Sequence, residues 1–343
     1  MTNPLAGRLL DHVAGGVAPS RLSVIGLCKN TGKTATLNSL IQAATHQGIP
    51  LGLVSTGRDG EEQDAITELP KPRIWAPGGA WIATARGALA TGTAQVRVDR
   101  ELPMTTPFGP VVIGQVEREG EVLLIGPGSI RRIGDLLGVL EACGARLSLV
   151  DGSFDRIAAA APSVTGRVVL SAGAAFSSSM GETVAQVRHV LDVFDLPMAP
   201  QHIGADAAPV GVVSESGAFA EIPVPSALSD PEPVVDALAT QPGYLVLGGA
   251  LSDRLLTALL QRRPPLSGIV VHDPTKVLVE RNLWRRWRRQ GGVAYVRRRV
   301  RLLAVTTNPY SPVGRDYDAL EFYEAVAAIA NRPVFDLQAG FPQ

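Results

Sequence analysis

Cysteine is nearly absent: Cys28 and Cys143 are the only two in 343 residues. Two thiols make no disulfide framework and cannot build a zinc site, and a disulfide at Cys28 would clamp the glycine-bearing loop around it. Both are read as reduced. An excess of either charge is missing too. Lys plus Arg and Asp plus Glu each total 32, so no global field favours nucleic acid or an anionic membrane as partner. No apolar run is long enough to span a bilayer and no N-terminal stretch has signal-peptide form, so a soluble, cytoplasmic protein without a membrane partner is expected. The five histidines (His12, His46, His189, His202, His272) show no metal-ligand spacing. The chain is too long for one small domain, and two are expected.

What is present is concentrated in Ile25-Gly26-Leu27-Cys28-Lys29-Asn30-Thr31-Gly32-Lys33-Thr34. An apolar strand (Leu22, Val24, Ile25) runs into a tight loop, and a helix then opens with Leu37, Leu40, Ile41 and Ala44 on one face. Strand, loop and helix in that order are the context a phosphate-binding P-loop requires. Backbone N–H groups turn inward and the helix N-terminus adds partial positive charge. The nucleotide-binding set is Lys29, Asn30, Thr31, Gly32, Lys33, Thr34 and Ala35, with Lys33 reaching the β- and γ-phosphates and the Thr34 hydroxyl ligating Mg²⁺. The spacing departs from the usual G-x-x-x-x-G-K-[ST], which would put glycine where Leu27 stands; Gly26 is one residue early. Dethiobiotin synthetase-like P-loop proteins carry the same longer spacing. A plain glycine-rich turn explains Gly26 and Gly32 but gives no reason for the adjacent Lys33-Thr34 pair.

The strand Leu51-Gly52-Leu53-Val54 delivers Ser55-Thr56-Gly57-Arg58-Asp59-Gly60-Glu61-Glu62-Gln63-Asp64. Loops at the C-terminal ends of strands lie on the ligand side of an open α/β sheet. Asp59 is thus a candidate to hold Mg²⁺ through water or to position an attacking group, ahead of Glu61 and Asp64; a solvated acidic loop is the bland alternative. The proline- and glycine-rich stretch 66–80 reads as a loop covering the nucleotide, where Lys71 and Arg73 either touch phosphate or face solvent. Residues 80–92 read as a weak helix. A β-hairpin follows, with strands at 111–113 and 122–125 and a turn at Arg118-Glu119-Gly120. Gly126-Pro127-Gly128-Ser129 is an anion loop or, more simply, a turn. Leu147-Ser148-Leu149-Val150-Asp151-Gly152 is the Walker-B candidate, a buried strand ending in a carboxylate that can approach the Mg²⁺ shell. The alternative is a turn-capping Asp151, with Asp155 as competitor. Catalysis is therefore assigned to Lys33, Asp59 and Asp151, and metal binding to Thr34, Asp59 and Asp151.

The fold class expected is α/β: a P-loop NTPase with a mostly parallel sheet over 1–198, bearing a hairpin insertion at about 105–128, followed by a second, smaller α/β domain over 205–343. No second GK[ST] occurs in that later part. Asp273-Pro274-Thr275-Lys276 is a possible stand-in for a base-reading motif, and ATP is not separated from GTP. Residues 281–301 are rich in arginine around Trp284 and Trp287, which share a helix face. They either dock a partner, grip nucleic acid, or form a surface helix with the tryptophans inward and the arginines solvated; nucleic acid is the least favoured.

Several segments together resemble one family. Lys29-Asn30-Thr31-Gly32-Lys33-Thr34, Ser55-Thr56-Gly57-Arg58-Asp59-Gly60-Glu61, Pro70-Lys71-Pro72, Val150-Asp151-Gly152, Asp155-Arg156, Thr307-Asn308-Pro309-Tyr310-Ser311-Pro312 and Pro333-Val334-Phe335-Asp336 are similar to the P-loop subunit of lysine 5,6-aminomutase reactivase, the KamB type. The resemblance implies a chaperone-like, Mg²⁺-dependent ATPase. It would act on an adenosylcobalamin (B12)-dependent aminomutase, together with a companion MutS-like subunit, and use nucleotide hydrolysis to exchange damaged cofactor. The residues by themselves also leave open a small-molecule ligase or kinase of dethiobiotin synthetase-like type, or a nucleotide-regulated binding module.

Overall fold

Along the chain run α1 (Pro4–Ala14), β1 (Ser20–Gly26), α2 (Lys33–His46), β2 (Leu51–Ser55), β3 (Ile74–Ala76), β4 (Trp81–Ala85), β5 (Gln95–Thr106), β6 (Gly109–Arg118), β7 (Gly120–Val122), α3 (Ile130–Ala142), β8 (Leu147–Asp151), β9 (Arg167–Gly173) and α4 (Met180–Phe194). Then come β10 (Gly211–Val213), β11 (Phe219–Glu221), α5 (Glu232–Thr240), β12 (Gly243–Val246), β13 (Leu251–Ser252), α6 (Asp253–Arg262), β14 (Leu266–Val271), β15 (Val277–Leu278), α7 (Arg281–Arg289), β16 (Ala294–Val296), β17 (Arg301–Asn308), α8 (Ala319–Ala327) and β18 (Val334–Phe335). This computed structural model describes residues 4–14, 20–56, 73–152, 160–203, 210–224, 227–228, 230–312 and 314–342. The chain divides into two units, Met1–Arg188 with Arg301–Gln343, and His189–Val300.

The first unit is built on a mixed sheet in the order β18-β17-β9-β1-β8-β2-β4-β6-β5. From β18 to β4 every pairing is parallel; β4–β6 and β6–β5 are antiparallel. The central strands read as continuous apolar runs because both faces are covered. Leu22, Val24, Leu53 and Leu149 pack under α1 and α2, through Leu9, Leu10, Leu37, Leu40 and Ile41. Val54, Val150, Ala83 and Ile113 point the other way, onto Ile133, Leu136, Leu137 and Leu140 of α3. Alternation along each strand thus sends neighbouring residues to opposite layers. A bidentate pair, Arg21 Nε to Glu141 Oε1 at 2.6 Å and Nη2 to Oε2 at 2.8 Å, ties the end of α3 to the start of β1.

The second unit has a five-stranded sheet, order β11-β10-β12-β14-β16, parallel among β12, β14 and β16 and antiparallel at β10. Its core joins Leu245, Ile269 and Val271 to Leu255, Leu256 and Leu259 of α6 and to Trp284 and Trp287 of α7.

Three expectations change. The later domain does not run from 205 to 343, nor the first from 1 to 198. Residues 301–343 return to the first unit because β17 pairs in parallel with β9 and β18 with β17, so the second unit is an insertion. The hairpin at 105–128 is displaced: β5 and β6 form it, turning at residues 107–108, and β7 leaves to pair with β3. The weak helix at 80–92 is strand β4 followed by a short 3₁₀ turn at Arg86–Ala90. Alanine favours helix in isolation, but β4 lies between β2 and β6, and those tertiary contacts outweigh propensity.

Candidate functional site

Five parallel strands end at one edge of the first sheet, at Gly26, Ser55, Asp151, Gly173 and Asn308. The register sets them side by side: Val24 opposite Asp151, Asp151 opposite Ser55, Gly26 opposite Ser171, and Gly173 opposite Asn308. In sheets of this kind ligands bind outside the carboxyl ends of the strands.

The turn after β1 folds back on itself. Leu27 N–H still bonds the Ser171 carbonyl at 3.1 Å, and the chain then reverses. Thr31, fully buried, donates its hydroxyl to the Cys28 carbonyl at 3.0 Å, and Lys33 Nζ donates to the same oxygen at 2.7 Å. Asn30 and Gly32 are both left-handed, with φ of 61° and 94°. This folding explains the glycine that stands one place early. A Cβ on Gly26 would lie 2.4 Å from Thr31 Oγ1 and 2.9 Å from Lys33 Cγ, so position 26 must be bare while Leu27 is buried in the core.

α2 begins at Lys33 with Gly32 as its N-cap. Gly32 offers no side-chain cap, and the first turn of the helix holds no acid. The start of a helix without a side-chain cap, bearing a lysine, is a site for an anion. Beneath the first turn three buried hydroxyls close a triangle: Thr36–Thr306 at 2.8 Å, Ser171–Thr306 at 2.9 Å and Thr36–Ser171 at 3.1 Å. They fasten α2 to the ends of β9 and β17. Lys29 is exposed; Thr34 and Ala35 are half-buried. Burial pushes the Cys28 thiol up, with the Lys33 ammonium pulling the other way, so the free thiol stays protonated near neutrality.

Asp151 ends β8, half-buried, and its carbonyl accepts from the Thr56 N–H at 3.0 Å. It lies in register with strands on both sides of β8, one of which leads into the turn. Asp59, Glu61, Asp64, Lys71 and Asp155 lie outside the described residues. Arg73 is occupied elsewhere: it donates to the Thr91 carbonyl at 2.7 Å and pairs with Glu121 at 3.5 Å. Gly126 is a packing glycine, since a Cβ there would fall 1.7 Å from the Ser55 carbonyl oxygen. Asp273 belongs to the other unit, where one carboxylate oxygen accepts from Thr275 N–H and hydroxyl and the other faces His272 Nδ1 at 2.8 Å. It caps the 274–276 turn. Trp284 and Trp287 point inward, at 2% and 5% exposure, while Arg285, Arg286, Arg288 and Arg289 face solvent.

The residues present fit a polyphosphate: the turn is glycine-tight, the N-cap of α2 is Gly32 and a lysine opens the helix. Among the described residues no group of three or more His, Cys, Asp or Glu is placed to hold a metal. Magnesium needs fewer: it is held by one or two carboxylates plus phosphate oxygens and water, and a Thr34 hydroxyl with an Asp151 carboxylate supplies hard oxygen donors of that kind. Sequence reasoning named none of Ser171, Gly173, Thr306 and Asn308 as a phosphate-site residue: the 171–180 loop entered only as the lining of a pocket in the ligase or kinase reading, and Asn308 only through a resemblance. All four lie at or near the C-terminal end of an apolar strand, which was the available signal. Comparison with protein-family models, curated proteins and solved structures finds no match to this chain.

Proposed function

We propose that this chain is a P-loop NTPase, a Mg²⁺-dependent nucleoside triphosphatase whose phosphate site is the 26–35 turn and helix start. The observation that carries it is the pairing of a glycine-tight, left-handed turn with Lys33 at the N-terminus of α2, whose N-cap is the side-chain-free Gly32. Backbone N–H groups of 29–35 hold the phosphates, and the Lys33 ammonium leaves the Cys28 carbonyl to neutralise them. Thr34 and Asp151 hold the magnesium ion; Asp59 orients the attacking water. When bound, the ion offsets charge that develops on the phosphate oxygens.

The resemblance of the quoted segments to the KamB-type reactivase subunit supports a narrower reading: an ATPase that reactivates a B12-dependent aminomutase with a MutS-like companion. Phosphate release from Mg·ATP tests both levels. Turnover that disappears in Lys33→Ala supports the site, and turnover raised by a cofactor-damaged aminomutase but by no small metabolite supports the narrower role. Turnover raised by a carboxylic-acid or amine metabolite instead points to the ligase or kinase reading. Undiminished turnover in Lys33→Ala rejects the site itself.

A further inference from the structure

We propose that Asn308, at the end of β17, is the positioning residue that holds the 26–34 turn in its phosphate-ready shape; this rests on the nucleotide reading above. Two of three consecutive residues in that turn, Asn30 and Gly32, are left-handed. An arrangement of this kind points successive N–H groups into one concavity, and it persists only where surrounding structure imposes it. Asn308 touches both residues. Its Nδ2 lies 3.4 Å from the Asn30 carbonyl oxygen. Its Cβ lies so close under Gly32 that a Cβ there would be 2.9 Å away.

The orientation of the amide is fixed. Asn308 Oδ1 accepts from the Tyr310 N–H at 3.2 Å. A backbone N–H can only donate, so the oxygen belongs on that side and the NH₂ on the side of the turn. From below, Gly173 completes the platform: a Cβ on it would sit 2.8 Å from Thr31 Cα and 3.2 Å from the Asn308 carbonyl. The side chain required is therefore short, with an acceptor on one arm and a donor on the other. Asparagine meets this. Aspartate keeps the size and the acceptor, but loses the donor and sets a negative charge beneath the bound anion.

The test compares wild type, Asn308→Ala and Asn308→Asp by hydrogen exchange of the ligand-free 26–34 segment and by calorimetric binding of Mg·ATP and of inorganic pyrophosphate. Asn308→Ala is expected to speed exchange in that segment and to weaken both ligands about tenfold, the worth of one part-buried hydrogen bond and the packing around it. Asn308→Asp weakens them further. A purely structural role would lower the melting temperature while leaving affinity and segment exchange alone, and that result overturns the proposal. Should the alanine variant fail to fold, the isosteric aspartate carries the test. Wild type binding neither ligand overturns the nucleotide reading and this proposal with it. Wild type that binds, with variants that bind equally well, overturns this proposal alone.

Discussion

Lys33 Nζ sits 2.7 Å from the carbonyl oxygen of Cys28, five residues back across the turn that leads into its own helix. One bond of the ammonium is therefore made to a neutral carbonyl at the mouth of the turn, a weaker acceptor than phosphate. Lys33→Ala is expected to lower ATP turnover by about a hundredfold or more, the scale for losing one preorganised charge on a transition state. The melting temperature without nucleotide should change little. Steady-state phosphate release and thermal denaturation on the same preparation check this; a variant with full turnover rules the lysine out.

Gly173 is extended, so any residue could adopt its backbone; what it lacks is room. A methyl there meets Thr31 and Asn308 backbone atoms at 2.8–3.2 Å, and neither can swing aside as a long side chain would. Gly173→Ala should destabilise the protein by about 1–3 kcal/mol and weaken nucleotide binding as well. Gly138, which has nothing within 4 Å of its would-be Cβ, is the control: Gly138→Ala on α3 should be neutral or slightly stabilising. Chemical denaturation of the two variants distinguishes crowding from a general intolerance of glycine replacement.

On α7 the two sides of the helix should behave oppositely. Trp284 packs against Trp287 with ring centroids 5.1 Å apart and meets His189 edge-on. Trp284→Ala is expected to cost about 3–5 kcal/mol. Arg285→Gln, on the solvent side, should stay within about 0.5 kcal/mol. Urea denaturation followed by the fluorescence of the remaining tryptophans measures both.

Burial holds the His189 ring below the ordinary histidine range, opposed by its contact with the Val279 carbonyl at 3.1 Å. Nδ1 has no hydrogen-bond partner among the described residues. The unfolded chain takes up its proton near pH 6.5 and the folded chain only at lower pH. The contribution to stability is therefore complete above about pH 6.5 and is lost as pH falls toward the folded value. Melting temperatures between pH 7 and pH 5 should fall more steeply for wild type than for His189→Gln. Equal slopes would assign the acid sensitivity to other groups.

The turn and its helix were legible in the sequence because everything that makes them is local. Ile25, Leu37, Leu40 and Ile41 carry the strand and the helix face, and Gly32-Lys33-Thr34 marks the junction. The apolar face of α3 at Ile133, Leu136, Leu137 and Leu140 is local in the same way, since its spacing is helical. What escaped depends on contacts distant in the chain. Nothing near Arg301–Asn308 says that it pairs with Arg167–Gly173 rather than with the strands just before it. Strand β5 escaped because it is a mostly exposed edge strand, where Arg97, Asp99, Arg100 and Glu101 dilute the apolar signal. The early glycine at 26 made sense only once Thr31 and Lys33 were seen folded over it.

Placing an inserted unit before β17 has a consequence for synthesis. A ribosome makes the 26–34 turn well before the strand that underpins it, with residues 35–300 translated in between. Until β17 emerges, a nascent chain holds β9 with a bare edge and the turn without Asn308 beneath it, a state open to stray strand pairing. Chains that stop before β17 should thus be sticky, and on the nucleotide reading inert as well, so that phosphate binding would report that β17 has been made.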